Sequence, residues 1–319
     1  MSKLSRRQML KAMGISTVGV AVGSQISLAG RPALAQSAPT GTPLGFYSFA
    51  LGAMQLTVIR DAAREQNPAI LGANAPEGGV DEILKANNVP SPINATFNVL
   101  LARNGDKTIL FDTGNGAGNG GALLATLGVL GIAPDSITDV VFSHFHPDHV
   151  GGALTDGKPT FANAMYHFPQ PEFDFVDGTV IENVPEAQRG LFNNSKAIFA
   201  AAGDAGKFNT YAQDTEILPG IMSIAASGHT PGHTAFMLQS DNARMMHIVD
   251  AAINSIVSLA RPDWFAAFDA NGEQASETRK KLFSEAASGG IRVFGYHFPF
   301  PGTGYVAAEG EGFRFIPYL

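Results

Sequence analysis

Short apolar blocks recur along this chain, each closed by glycine, proline or a polar cluster, as expected of buried strands between turns. They predict strands over 46–50 and 54–60, joined at Gly52-Ala53, and over 93–102 and 107–111, joined at Asn104-Gly105, a strong hairpin dipeptide. Further strands are expected over 137–142, 163–167, 221–226, 235–239, 245–249, 291–294, 304–308 and 312–317. Helical spacing of apolar positions predicts helices over 80–87, 122–130, 186–202 and 276–287. Apart from the first of these helices, residues 61–92 read as irregular, and loops this long are often functional. The mixture suggests sheets flanked by helices.

The residues that follow the strands carry the chemistry. Asp112, His144, His229, Asp250 and His297 each sit just past an apolar block, and strand ends that deliver polar side chains to one edge are how a sheet builds a site. The densest group is Ser143-His144-Phe145-His146-Pro147-Asp148-His149-Val150-Gly151. His144 and His146 would share one face of a continuing strand, and the chain turns at Pro147, so Asp148 and His149 can aim at a second point. Imidazole and carboxylate donors suit zinc, iron, cobalt, nickel or manganese. A buried, unpaired Asp250 would be costly, so a metal or a close donor is expected beside it. No G-x-S-x-G elbow is present.

The chain has 319 residues, 45% hydrophobic and 15% charged, enough for a large core. Its first residues change the charge picture. Arg6-Arg7 precedes a weakly apolar stretch over 12–23, and Ala33-Leu34-Ala35 forms a small-x-small cleavage site, as in a twin-arginine export signal. Cleavage after Ala35 would leave one domain over 36–319, with no membrane anchor, in the periplasm or secreted. It removes five of the 21 basic residues and none of the 28 acidic ones, leaving a formal charge of −12. That argues against a nucleic-acid partner. The expected partners are the twin-arginine export machinery and a small-molecule substrate, with a homodimer left open. Cysteine is absent, which excludes disulfides and thiolate ligands.

His144-x-His146-x-Asp148-His149, then Gly228-His229-Thr230, Asp250 and His297, in this order and spacing, resemble the metallo-β-lactamase superfamily. Within it, Ser227-Gly228-His229-Thr230-Pro231-Gly232-His233-Thr234 and His297-Phe298-Pro299-Phe300-Pro301-Gly302 are similar to methyl parathion hydrolase and its exported relatives. The resemblance implies an α/β (α+β) fold, a four-layer αββα sandwich with two metals at one edge. It implies that His144, His146 and His229 hold one metal, that Asp148, His149 and His297 hold the other, and that Asp250 bridges them. Asp148 and Asp250 are the catalytic candidates. Two divalent transition metals, zinc first with iron, manganese or cobalt as alternatives, would share a hydroxide that attacks a small apolar ester, lactone or phosphotriester. Asp112 and His233 are expected behind the ligands, although Asp112 could instead cap the glycine-rich turn over 116–121. Asp269 resembles a position at the edge of the site, or caps a helix.

Three departures matter. Val249 stands where the superfamily usually has glycine. Ile253 takes the place of a catalytic tyrosine of acyl-homoserine lactonases. The stretch after Asp112 is nearly free of aromatics, where the phosphotriester hydrolase has a phenylalanine. Trp264, Phe265, Phe268 and Phe192 could line a substrate pocket or pin loops to the core. The competing readings are a quorum-quenching-type lactonase and a non-catalytic periplasmic metal-binding protein.

Overall fold

The computed structural model describes residues 45–179, 182 and 186–319. The expected leader over 1–35 lies outside the described residues. Strands β1 (Phe46–Leu51), β2 (Met54–Gln66), β3 (Ile93–Asn104), β4 (Lys107–Phe111) and β5 (Asp139–Val141) are followed by a small ribbon, β6 (Leu154–Thr155) with β7 (Lys158–Pro159). With β8 (Met165–Pro169) and β9 (Phe208–Tyr211) the larger strands form one sheet in the order β1-β2-β3-β4-β5-β8-β9, antiparallel up to β4 and parallel beyond it. A second sheet runs in chain order through β10 (Glu216–Leu218), β11 (Ile221–Ala225), β12 (Thr234–Ser240), β13 (Ala243–Val249), β14 (Arg292–Gly295), β15 (Thr303–Glu309) and β16 (Gly312–Pro317). Only β13 and β14 pair in parallel in that sheet. The helices are α1 (Gly79–Ala86), α2 (Leu123–Val129), α3 (Pro147–Val150), α4 (Gln170–Asp177), α5 (Glu186–Asp204), α6 (Val257–Ala260) and α7 (Gly272–Gly289).

Strand alternation assembles the layers. On β3, Leu100 and Ala102 turn toward the second sheet, while Val99 and Leu101 turn toward the helices. Between the sheets Leu56, Val58, Leu100 and Phe111 meet Phe236, Leu238, Met245 and Phe294. Outside the first sheet Leu123 and Leu127 of α2 and Ile198 and Phe199 of α5 close one core. Outside the second, Leu282, Phe283 and Ala286 of α7 close another against Met246, Ile248 and Val293. The result is the four-layer αββα sandwich. Each layer buries apolar side chains worth roughly 1.5–3 kcal/mol apiece relative to exposure.

Several element boundaries differ from expectation. Asn104 pairs with Lys107, so the hairpin turns on Gly105-Asp106, with Gly105 at φ +60. Residues 61–66, expected as irregular, continue β2 to Gln66 through a register shift between Arg60 and Ala62. Pairing with the long β3 carries a segment whose own sequence does not alternate. The strands β9 and β10 and helix α4 had no sequence signal: the strands are short and carry polar residues, and α4 opens on Gln170-Pro171.

A polar row also crosses the parallel strands. His167 on β8 places Nε2 2.9 Å from Asp139 Oδ1 on β5, and its Nδ1 lies 3.0 Å from Asn209 Nδ2 on β9. Thr138 and Lys107 reach Asp139 Oδ2 at 2.6 and 3.1 Å. Burial raises the Asp139 carboxyl, but hydrogen bonds from His167, Thr138 and Lys107 outweigh it and bring the pKa to about 2. Since the folded value lies below the unfolded one, the stabilisation is present above about pH 4 and is lost as pH falls toward 2. Asp139→Asn should therefore cost on the order of 2 kcal/mol at pH 7 in urea unfolding, with the gap to wild type shrinking below pH 4. A pH-independent gap would contradict this account.

Candidate metal centre

Five of the seven predicted ligands lie just past strand ends, and one edge of the sandwich collects all seven. His144 and His146 leave β5, and Asp148 and His149 sit on the single turn of α3 that Pro147 opens. His229 follows β11, Asp250 follows β13 and His297 follows β14. Two groups result. His144, His146, His229 and Asp250 offer ligand atoms within 4.8 Å of one another, as do Asp148, His149, Asp250 and His297. Asp250 belongs to both. Its Oδ2 lies 3.3 Å from His229 Nε2 and 3.2 Å from His297 Nε2, and its Oδ1 3.2 Å from His149 Nε2.

The donors fit cations. His144 Nε2, His149 Nε2 and Asp250 Oδ1 are buried with no hydrogen-bond partner among the described residues, a costly state unless each has another ligand. Burial and neighbouring imidazoles hold His144 and His146 well below the usual histidine range, leaving neutral rings with free lone pairs. Burial opposes protonation of His229, but Asp250 and Asp269 outweigh it and bring it to about 9. Carboxylates that hold a proton there would equally hold a cation, with release of the proton.

Each ligand is held from behind. Asp112 Oδ1 accepts the Ser143 N–H at 2.8 Å, and its Oδ2 accepts the Ser143 hydroxyl at 2.7 Å and lies 2.8 Å from His149 Nδ1. Asp112 thus orients His149. The glycine-rich turn is held instead by buried Asp61, which accepts the N–H groups of Asn115 and Leu123. Asp269, its side chain fully buried, meets His229 Nδ1 at 2.9 Å. Fully buried Arg279 donates to Asp269, to the Ala251 carbonyl and to the carbonyls of Pro262 and Trp264. Glu172 accepts from Phe145 N, Thr230 Oγ1 and Gly232 N, tying the first ligand loop to the His229 loop. Tyr296 stacks on His149 at 4.1 Å and donates to the Asp148 carbonyl at 2.6 Å.

Sequence reading missed Asp61, Glu172, Arg279 and Tyr296. Arg279 alone left a signal, a cation in the buried stripe of Ser276, Leu282 and Phe283 on α7.

The ligands open into a cavity of about 550 Å³. Of the four aromatic pocket candidates, Phe268 lines it and is 54% exposed. Trp264 is instead buried with Leu71, Val80 and Leu84, Phe265 lies over Gly272, and Phe192 is buried in the helix-side core. Phe97, Ile70 and Ile253 supply the other apolar walls, and Arg64, Asn115 and Asn119 the polar one.

Comparison with known proteins agrees with this geometry. The profile of the metallo-beta-lactamase superfamily matches residues 97–289. The chain belongs to the metallo-beta-lactamase superfamily. Among solved structures it is similar to AbOPH, a hydrolase of the beta lactamase superfamily, at 28% identity and a TM-score of 0.81, covering 87% of this chain and 99% of that one. It is also similar to AidC, a dizinc quorum-quenching lactonase solved with its product, at 30% identity and a TM-score of 0.79, covering 86% and 98%. A curated N-acyl homoserine lactonase of Bacillus cereus is 23% identical over 155 residues, 48% of this chain; the match spans about half of that relative, 52%. A metal-dependent hydrolase follows, and the two His/Asp groups support two divalent metals.

Two of the expected departures, Ile253 and Val249, fall at this edge. Ile253 is an apolar cavity wall. Val249 sits at φ +48 with its side chain fully buried between the sheets. A β-branched residue there is strained by roughly 1–3 kcal/mol. The register shift between His247 and Val249 turns the strand end toward the site. Two imidazoles accept the next backbone N–H groups: His247 Nδ1 takes Val249 N–H at 3.3 Å, and His233 Nε2 takes Asp250 N–H at 3.1 Å. Burial brings both rings down to about 3, keeping them neutral acceptors.

The strain predicts an inverted mutational order. Val249→Ala loses packing and keeps the strain, costing about 2 kcal/mol, whereas Val249→Gly loses more packing but relieves the strain and should cost less. Chemical unfolding of both variants checks this, and a glycine variant less stable than the alanine one would contradict it.

Proposed function

We propose that this protein is a dinuclear metal hydrolase that opens small lactones and related esters. The observation that carries the reading is Asp250, shared by two complete ligand groups at the floor of a cavity large enough for a small ester. The likeness to a dizinc lactonase over most of both chains supports lactones as the first substrate class and zinc as the metal.

His144, His146 and His229 would hold one cation, Asp148, His149 and His297 the other, and Asp250 both. Bound there, two divalent cations lower the pKa of water and stabilise charge developing on the substrate oxygen. The chain's own groups do the rest. Asp112 and Asp269 fix the ring orientations of His149 and His229. Ile70, Ile253 and Phe268 hold the apolar part of the substrate and displace water from it. Asp148, the more exposed of the two carboxylates in the ligand set, takes on its second oxygen, the one not turned to His149 and His297, the proton released as water adds to the carbonyl carbon. It returns that proton to the ring oxygen as the C–O bond breaks, giving an alcohol and a carboxylic acid that releases its own proton to solvent. Ile253 provides no acid, which leaves this transfer to Asp148.

A phosphotriester reading, in the manner of methyl parathion hydrolase, is supported by the motifs around His229 and His297. The wall after Asp112 carries Asn115 and Asn119 rather than an aromatic leaving-group pocket, which favours lactones and esters. The test is a hydrolysis panel on metal-quantified protein: lactones, aryl esters, phosphotriesters and a cephalosporin. Lactone turnover above the rest is expected. Asp250→Ala should lose at least about a hundredfold, while His149→Ala, whose metal keeps three ligands, should be partly rescued by excess metal. Failure to turn over any of these substrates would leave the non-catalytic metal-binding reading standing.

We further propose export through the twin-arginine pathway, on the strength of Arg6-Arg7, the weakly apolar segment after it and Ala33-Leu34-Ala35. Changing both arginines to lysine should retain the precursor in the cytoplasm, and unaltered export would reject this route.

A further inference from the structure

The cavity wall carries one side chain that the proposed hydrolysis does not use. Arg64, near the end of β2, is, among the described residues, the only Lys or Arg that lines it. Its Nη2 donates to Asn115 Oδ1 and to the Asn119 carbonyl, both at 2.7 Å. Asn115 cannot turn away, because its backbone N–H and its Nδ2 both donate to Asp61 Oδ2, at 2.8 and 3.0 Å, and Asp61 is fully buried. The guanidinium carbon lies 5.2 Å from the Phe97 ring centre, and the same ring stands edge-on to His297 at 5.1 Å. One phenyl ring thus separates Arg64 from a ligand imidazole. In a chain with more acids than bases, Arg64 has no ion pair, and its Nε and Nη1 have no hydrogen-bond partner, among the described residues.

We propose that Arg64 is the specificity-determining residue of this cavity and binds the amide oxygen of an acylamino group carried on the lactone ring. This rests on the lactone reading above and adds to it which lactones are preferred. A guanidinium is planar, permanently charged and offers donors in a fixed fork, which suits a planar carbonyl oxygen. Neutral amide partners steady one nitrogen without neutralising the charge, so the remaining donors face the cavity already oriented. Ile70, Ile253 and Phe268 then take the acyl chain.

The test compares N-hexanoyl-L-homoserine lactone with unsubstituted γ-butyrolactone, using the metal-loaded wild type, Arg64→Leu and Arg64→Lys. In Arg64→Leu the ratio of the two kcat/KM values should fall about tenfold to a hundredfold, the loss residing in KM, as expected for a charged hydrogen bond. Arg64→Lys keeps the charge without the fork and should fall between. A ratio that stays within about twofold of wild type in both variants overturns the proposal while the lactonase reading stands. A metal-loaded wild type that opens neither lactone overturns both.

Discussion

One carboxylate organises the active edge. Asp250 is 3% exposed and lies within 3.3 Å of three imidazoles, with a fourth, His144, at 4.0 Å. An isolated buried carboxylate is costly, and so is a set of buried imidazole nitrogens without partners. Brought together with cations, the two costs offset each other. Burial raises the Asp250 carboxyl, yet His297 and His149 hold it well below the usual range. Much of the surrounding structure keeps that charge in place.

The restraints arrive from different layers. Asp112 at the end of β4 orients His149, and Asp269, held by Arg279 of α7, orients His229. His233 and His247 accept the consecutive N–H groups of Asp250 and Val249. Because the anchors belong to both sheets and to the outer helix, the packing of the sandwich and the spacing of the ligands are coupled. This is a physical reason for an αββα scaffold to keep buried polar groups that its cores alone would disfavour.

The ligands were legible because their chemistry is local. His144, His146, Asp148 and His149 share a few residues of sequence, and His229, Asp250 and His297 each end an apolar block. The groups behind them were less so, since Glu172 and Tyr296 act through contacts that only the fold creates. Phe192 and Trp264 show the converse: a large aromatic near a site in sequence is as readily part of a core. Asp61, in a segment expected to be irregular, holds the glycine-rich turn and fixes Asn115, because pairing with β3 extends β2 past its own weak pattern.

The most direct test of this arrangement is the metal content of the purified chain, by elemental analysis after apo protein is titrated with zinc and dialysed. Two shared ligand groups predict saturation at two equivalents per chain, falling to one or fewer in Asp250→Asn, which keeps the shape and loses the charge. Saturation of the wild type at one equivalent, or an Asp250→Asn protein that still retains two, would contradict the shared-carboxylate account.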